Sequence, residues 1–147
     1  MTIVGVDEAG RGPVIGPLVI AGVMISKADE DKLKAIGVKD SKLLTPEKRE
    51  LLFDKIIRLA KSTRIIIVEP KEIDEILNSA NLNLNSLEAI KSALIINEFE
   101  PKTVIVDCPS PNTKAYSDYL RMNLKNNEIE IIAEHKADVK YPVVSAA

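Results

Sequence analysis

The sequence predicts an α/β fold, a mixed sheet flanked by helices, and three observations predict it. Two apolar runs at residues 3–6 and 18–25 lie close enough to pair as an antiparallel hairpin. Later apolar runs at 64–68, 103–106 and 128–134 alternate with stretches of helical pattern. Paired strands first and strands alternating with helices later indicate a mixed sheet rather than a sandwich or bundle.

Each element has a local reason. Residues 3–6, Ile-Val-Gly-Val, read as a buried strand that ends where Asp7 and Glu8 begin. Pro17 starts the second strand. Residues 27–44 are polar and predict a long loop or short helix. Thr45-Pro46 opens a helix, with Thr as N-cap and Pro at the first helical position. Leu52, Ile56 and Leu59 recur on one face of it. The third strand is closed by Pro70, and residues 71–78 form a short helix. Asn85 followed by Glu88 has the spacing of a capping box, which predicts a helix running to about Phe99, closed by Pro101. The fourth strand carries Asp107 at its carboxyl end. A helix around 114–124 leads to the fifth strand, and His135-Lys136-Ala137-Asp138 leads to a last helix at Pro142. Crossover helices make strands one, four and five parallel.

The 147 residues suffice for one domain with a substantial core, and 29% charged residues fit a globular chain. No apolar run reaches the length of a membrane span, and the N-terminus lacks a signal-peptide pattern. The single cysteine, Cys108, excludes an internal disulfide framework. The expected location is the cytoplasm and the expected state a monomer. A net charge of −2 does not by itself mark a nucleic-acid binder, so local charge decides.

The chemistry concentrates in acids. Sites in open α/β sheets gather at the carboxyl ends of parallel strands. Asp7 and Glu8 end strand one, Asp107 ends strand four, and Asp138 follows strand five. Singly, each is explained as well by a solvated turn or a cap. Together at three strand ends they predict convergence, which is costly without cations and natural with hard divalent ones. Two such ions would activate a water and stabilise a leaving oxygen in phosphoryl transfer. Adjacent strand residues point to opposite faces, so Asp7 and Glu8 share a site only if the chain twists or leaves the strand at Glu8. Gly10 and Gly12 flank Arg11 in a turn suited to a phosphate or nucleotide, although Arg11 would equally pair with Asp7 or Glu8. Ser41 and Lys42 lie outside the helix and are read as phosphate contacts, whereas the basic residues from Lys48 to Arg64 are read as a solvated helix face. Cys108 is read as a small buried hydrophobe, Tyr116 and Tyr119 as packing residues, and His135 as a surface residue or a group steering a water near the acids.

Asp7-Glu8-Ala9-Gly10-Arg11-Gly12, Lys39-Asp40-Ser41-Lys42, Asp107 after Val-Ile-Val, and His135-Lys136-Ala137-Asp138 followed by Val143-Val144-Ser145-Ala146-Ala147 occur in the order seen in type 2 ribonuclease H. The chain resembles that family over its whole length, in particular the archaeal ribonuclease HII group. The resemblance implies an RNase H-like fold, with a five-stranded mixed sheet in the order 3-2-1-4-5. It implies Mg²⁺- or Mn²⁺-dependent hydrolysis of RNA in RNA–DNA hybrids and at ribonucleotides embedded in duplex DNA, leaving 5′-phosphate and 3′-hydroxyl ends. By position, Asp7, Glu8, Asp107 and Asp138 would be the catalytic, metal-binding acids. Gly10, Arg11 and Gly12 would read the 2′-hydroxyl, and Ser41 and Lys42 would hold backbone phosphate.

Family members continue past Ser145-Ala146-Ala147 with a helical region bearing a substrate-recognition tyrosine, and none of Tyr116, Tyr119 or Tyr141 takes its place. The reading is therefore one RNase H-like catalytic domain over 1–147 lacking that region, and with it a contact to the replication clamp. Such a chain is expected to bind metal, to cleave weakly or not at all, and to expose apolar surface near 143–147. The alternatives are a nucleic-acid-binding module without catalysis, and a DNA nuclease or resolvase on the same fold.

Overall fold

The computed structural model describes residues 1–9, 17–38, 44–78, 83–108 and 111–147. Among these, five strands form one sheet: β1 (Thr2–Ala9), β2 (Leu18–Ser26), β3 (Ser62–Val68), β4 (Thr103–Cys108) and β5 (Glu130–His135). Their order is β3-β2-β1-β4-β5. β1 pairs antiparallel with β2 and parallel with β4, and β4 pairs parallel with β5. The order and the parallel central strands are those expected.

Strand alternation sorts the core into two layers. Val4, Val6, Leu18, Ile20, Val104 and Val106 face one side, packed with α4 (Leu84–Phe99) and α5 (Thr113–Met122). Ile3, Val23, Ile25 and Ile105 face the other. They pack there with α1 (Glu30–Ala35), α2 (Pro46–Leu59), and the short α6 (Ala137–Lys140) and α7 (Pro142–Ala146). α3 (Pro70–Leu77) lies on the α4 side through Ile73 and Ile76.

Each face has one glycine where a helix comes close. A Cβ on Gly5 would sit 2.3 Å from the Val143 carbonyl oxygen, so α7 rests its backbone directly on β1. A Cβ on Gly22 would sit 2.5 Å from Ile95 Cγ2 of α4.

Several local expectations change. β1 does not stop at the acids but continues to Ala9, because Asp7, Glu8 and Ala9 still pair with Ala21, Ile20 and Val19 of β2. The α4 cap is Asn83, not Asn85: the Asn83 side chain accepts from the Ser86 N–H at 2.9 Å and the Ser86 hydroxyl at 3.1 Å. Glu88 turns into the core instead of back to the helix end. Asp138, expected between strand five and the last helix, sits there in the first turn of a further short helix, α6. Val143 and Val144 are buried, not exposed, because the glycine on β1 lets α7 settle against the sheet. α2 follows its pattern, with the Thr45 hydroxyl accepting from the Lys48 N–H and Leu52, Ile56 and Leu59 turned inward.

Candidate metal centre

The parallel register builds the site. Gly5 lies beside Ile105 and Val6 beside Val106, and the parallel pairing then ends. Asp7 and Asp107 each come next, on the same face and just beyond the last paired residues. β4 continues against β5, where Asp107 pairs with Glu134 and Cys108 with His135. After β5 the chain reverses at Lys136, whose φ of 62° and ψ of 39° place it in the left-handed region. That turn directs the Ala137 N–H to Asp107 Oδ1 at 3.1 Å and brings Asp138 over the strand ends. The Ser145 hydroxyl hydrogen-bonds the Asp138 carbonyl and reaches the Tyr141 carbonyl at 3.2 Å, tying α7 to α6.

Asp7, Asp107 and Asp138 therefore meet: one carboxylate oxygen of each lies within 4.8 Å of the other two. Burial pushes the Asp7 carboxyl up from 3.8 to about 7, against the pull of the Glu8 N–H, which donates to Asp7 Oδ1 at 2.9 Å. The charges of Asp107 and Asp138 push the same way, as does a hydrogen bond between the Asp7 and Asp107 carboxyls, which requires a proton on one of them. Three carboxyl groups gathered this closely, whose burial and mutual repulsion disfavour the charged form of Asp7, suit a hard divalent cation.

Glu8 is not part of this group. Its Cβ leaves on the face of Val4 and Val6, as alternation along an unbroken β1 requires. It still reaches the same cavity, of about 230 Å³, which Asp7, Glu8, Val38, Arg49, Phe53 and Ser145 help to line. Gly10, Arg11, Gly12, Ser41 and Lys42 lie outside the described residues. His135 is exposed, with Nδ1 3.1 Å from the Cys108 carbonyl oxygen, and Cys108 is buried as expected.

Arg49 is exposed, as its assignment to a solvated helix face requires, and it also lines the cavity that Asp7 and Glu8 line, which sequence reasoning did not foresee. Its place three residues past Pro46 gave no hint, since α2's position over the sheet is a tertiary fact. Ser145 was seen only as part of a motif; its hydrogen bonds give it a task, holding the turn that presents Asp138.

Comparison with known proteins agrees with this arrangement. The family model described as Ribonuclease HII matches residues 4–147. The chain belongs to the ribonuclease HII family. Ribonuclease HII of Pyrococcus furiosus is 46% identical over 100% of this chain, which spans 64% of that protein's length. The solved ribonuclease H2 of Pyrococcus horikoshii OT3 superposes with a TM-score of 0.89 at 46% identity, covering 100% of this chain and 68% of that one. Ribonuclease HII in the complex with PCNA from Archaeoglobus fulgidus gives 0.88 at 40% identity, covering 100% and 69%. These two solved structures thus share the fold over the whole of this chain.

Proposed function

We infer that this chain is the metal-binding catalytic part of a ribonuclease H, hydrolysing RNA in RNA–DNA hybrids and at ribonucleotides embedded in duplex DNA. The observation that carries the reading is the meeting of Asp7, Asp107 and Asp138 at the carboxyl end of the central parallel strands. Family membership supplies the reaction class.

Asp7, Asp107 and Asp138 would hold Mg²⁺ or Mn²⁺, with Glu8 as the fourth acid at the rim. Divalent ions held there would supply an activated water and stabilisation of the leaving 3′-oxygen, the chemistry that yields 5′-phosphate and 3′-hydroxyl ends. The chain's own part is orientation. The Ala137 N–H fixes one Asp107 oxygen, the Glu8 N–H fixes one Asp7 oxygen, and Ser145 holds the main chain at Asp138. Gly10, Arg11 and Gly12 would read the 2′-hydroxyl, which separates RNA from DNA. Ser41 and Lys42, joined by Arg49 at the cavity, would hold backbone phosphate. By analogy with the Archaeoglobus complex, a sliding clamp is the protein partner proposed for the full-length enzyme, through the region that relatives carry beyond these residues. Residues 1–147 alone are proposed to bind the ion and cleave weakly.

The test is cleavage of a duplex carrying one ribonucleotide, with Mn²⁺, with Mg²⁺ and with chelator, beside an all-DNA duplex. It is run on residues 1–147 and on a chain extended to the length of its relatives. Metal-dependent scission at the ribonucleotide by the longer chain supports the reading. Equal cleavage of the all-DNA duplex favours a DNA nuclease, and binding of both duplexes without scission favours a non-catalytic module.

A further inference from the structure

The β4–β5 ladder ends at the pair Cys108 and His135. One residue later the backbone of Lys136 enters the left-handed region and the chain leaves the sheet. The His135 side chain nonetheless stays tied to β4. Its Nδ1 lies 3.1 Å from the Cys108 carbonyl oxygen. A carbonyl only accepts, so Nδ1 carries the proton in this bond, and in the neutral ring Nε2 is left as an acceptor. The imidazole thus adds a side-chain rung at the end of the ladder.

That rung brackets a residue of the metal centre. Asp107 immediately precedes Cys108. Its Oδ1 accepts from the Ala137 N–H at 3.1 Å. His135 and Ala137 therefore grip the end of β4 at two points, one on the main chain just past Asp107 and one on its carboxylate. The left-handed turn at Lys136 joins the two grips. His135 is exposed, and a single exposed hydrogen bond adds little to stability. What it can do is narrow the positions open to Asp107. Metal affinity responds to such restraint, because hydrogen bonds around a ligand orient it for the ion.

We propose that His135 is a positioning residue for Asp107, acting through its Nδ1–H on the Cys108 carbonyl. The assignment rests on the proposed role of Asp107 as a metal ligand. It differs from steering a water, which needs Nε2, and from a plain surface role, which needs neither nitrogen.

The experiment has two parts. His135 is the sole histidine, so its ring signals in ¹⁵N NMR are unambiguous. The neutral ring of the metal-free chain should show the Nδ1–H tautomer. Mn²⁺ is then titrated calorimetrically into the wild-type chain, His135→Ala, His135→Asn, His135→Gln, Asp107→Asn and the double variant of His135→Ala with Asp107→Asn, with thermal melts of each in chelator. An asparagine amide nitrogen stands as many bonds from Cβ as Nδ1 does, and a glutamine amide nitrogen as many as Nε2. His135→Ala and His135→Gln should weaken Mn²⁺ binding on the order of 10-fold, and His135→Asn should keep most of the affinity. Adding His135→Ala to Asp107→Asn should cause no further loss, since the group it positions is gone. An Nε2–H tautomer shows that the bond to Cys108 is not made and overturns the proposal. If Asp107→Asn weakens binding and His135→Ala does not, whatever its melting temperature, the positioning role is refuted while the metal-site reading stands. Rescue by Gln and not by Asn moves the task to Nε2, and additive losses in the double variant place it away from Asp107; either result sinks the proposal. If Asp107→Asn leaves affinity unchanged, Asp107 is no ligand and the proposal falls with it. A wild-type chain that takes up no Mn²⁺ overturns both readings.

Discussion

Asp7 is the residue whose protonation the site controls most plainly. Its folded-state pKa, about 7, stands above the ordinary 3.8, so the folded chain holds this proton more tightly than the unfolded chain does. For cation-free protein, this contribution is fully present below about pH 4 and is lost as pH rises through about 7. Chelator-treated protein should therefore show a melting temperature that falls over that interval, and Asp7→Asn should flatten the slope. Added Mn²⁺ should restore stability most at the alkaline end, because the Asp7 proton no longer competes with the ion there. In the nuclease assay, Asp7→Asn is expected to lower turnover at least ~100-fold while hybrid binding is kept or tightened, since a ligand acts more directly than its outer supports. Filter binding alongside the rate measurement separates the two effects. Lys136 offers a second residue-scale test. Its left-handed backbone favours glycine and penalises branched side chains. Lys136→Gly should raise the unfolding free energy measured in urea by up to about 1 kcal/mol, and Lys136→Val should lower it.

At the scale of elements, the seam between β1 and α7 decides whether Asp138 is delivered. Gly5→Ala would drive a methyl into the Val143 carbonyl, and a backbone atom cannot rotate away. The expected cost is about 1–3 kcal/mol in urea unfolding, with weakened Mn²⁺ binding because α7 carries Ser145 and, through it, the turn at Asp138. Gly22→Ala meets a side chain, Ile95, that can shift, so its cost should be smaller and Mn²⁺ binding unaffected. The sequence showed these elements well where apolar period and caps agree, as in α2 with Thr45, Pro46 and Leu52. It misled where two asparagines competed: Asn85 has the correct spacing to Glu88, yet Asn83 caps α4 and Glu88 is buried. Strand ends were equally hard to read. Two acids suggest a stop, but pairing with β2 carries β1 through them to Ala9.

At the scale of the molecule, the three aspartates were legible because strand ends in a parallel sheet are collected by topology, which follows from the alternation of strands and helices. The separation of Glu8 from them was legible only as a difficulty, since period-two alternation forbids neighbours to share a face. The presence of Arg49 at the cavity was not legible, because it depends on how α2 lies across the sheet. Apolar exposure was expected at the wrong place. Val143 and Val144 are buried, whereas Leu51, Phe53 and Ile57 of α2 and Ile65 and Ile67 of β3 are exposed. Val19, which pairs with Ile67, lines the same cavity as Phe53. A surface of this kind promotes association. Sedimentation velocity of residues 1–147 should show oligomers growing with concentration, and Phe53→Ser with Ile67→Thr should suppress them.

The strand order also sets a schedule for synthesis. β1 lies at the centre of the sheet yet is made first, and its parallel neighbour is made only after β2, β3 and the helices between them. Asp7 leaves the ribosome long before Asp107 and Asp138, so a nascent chain cannot gather the carboxylates that an ion needs. Any ion shared by the three aspartates would have to wait until the turn that carries Asp138 has followed β5.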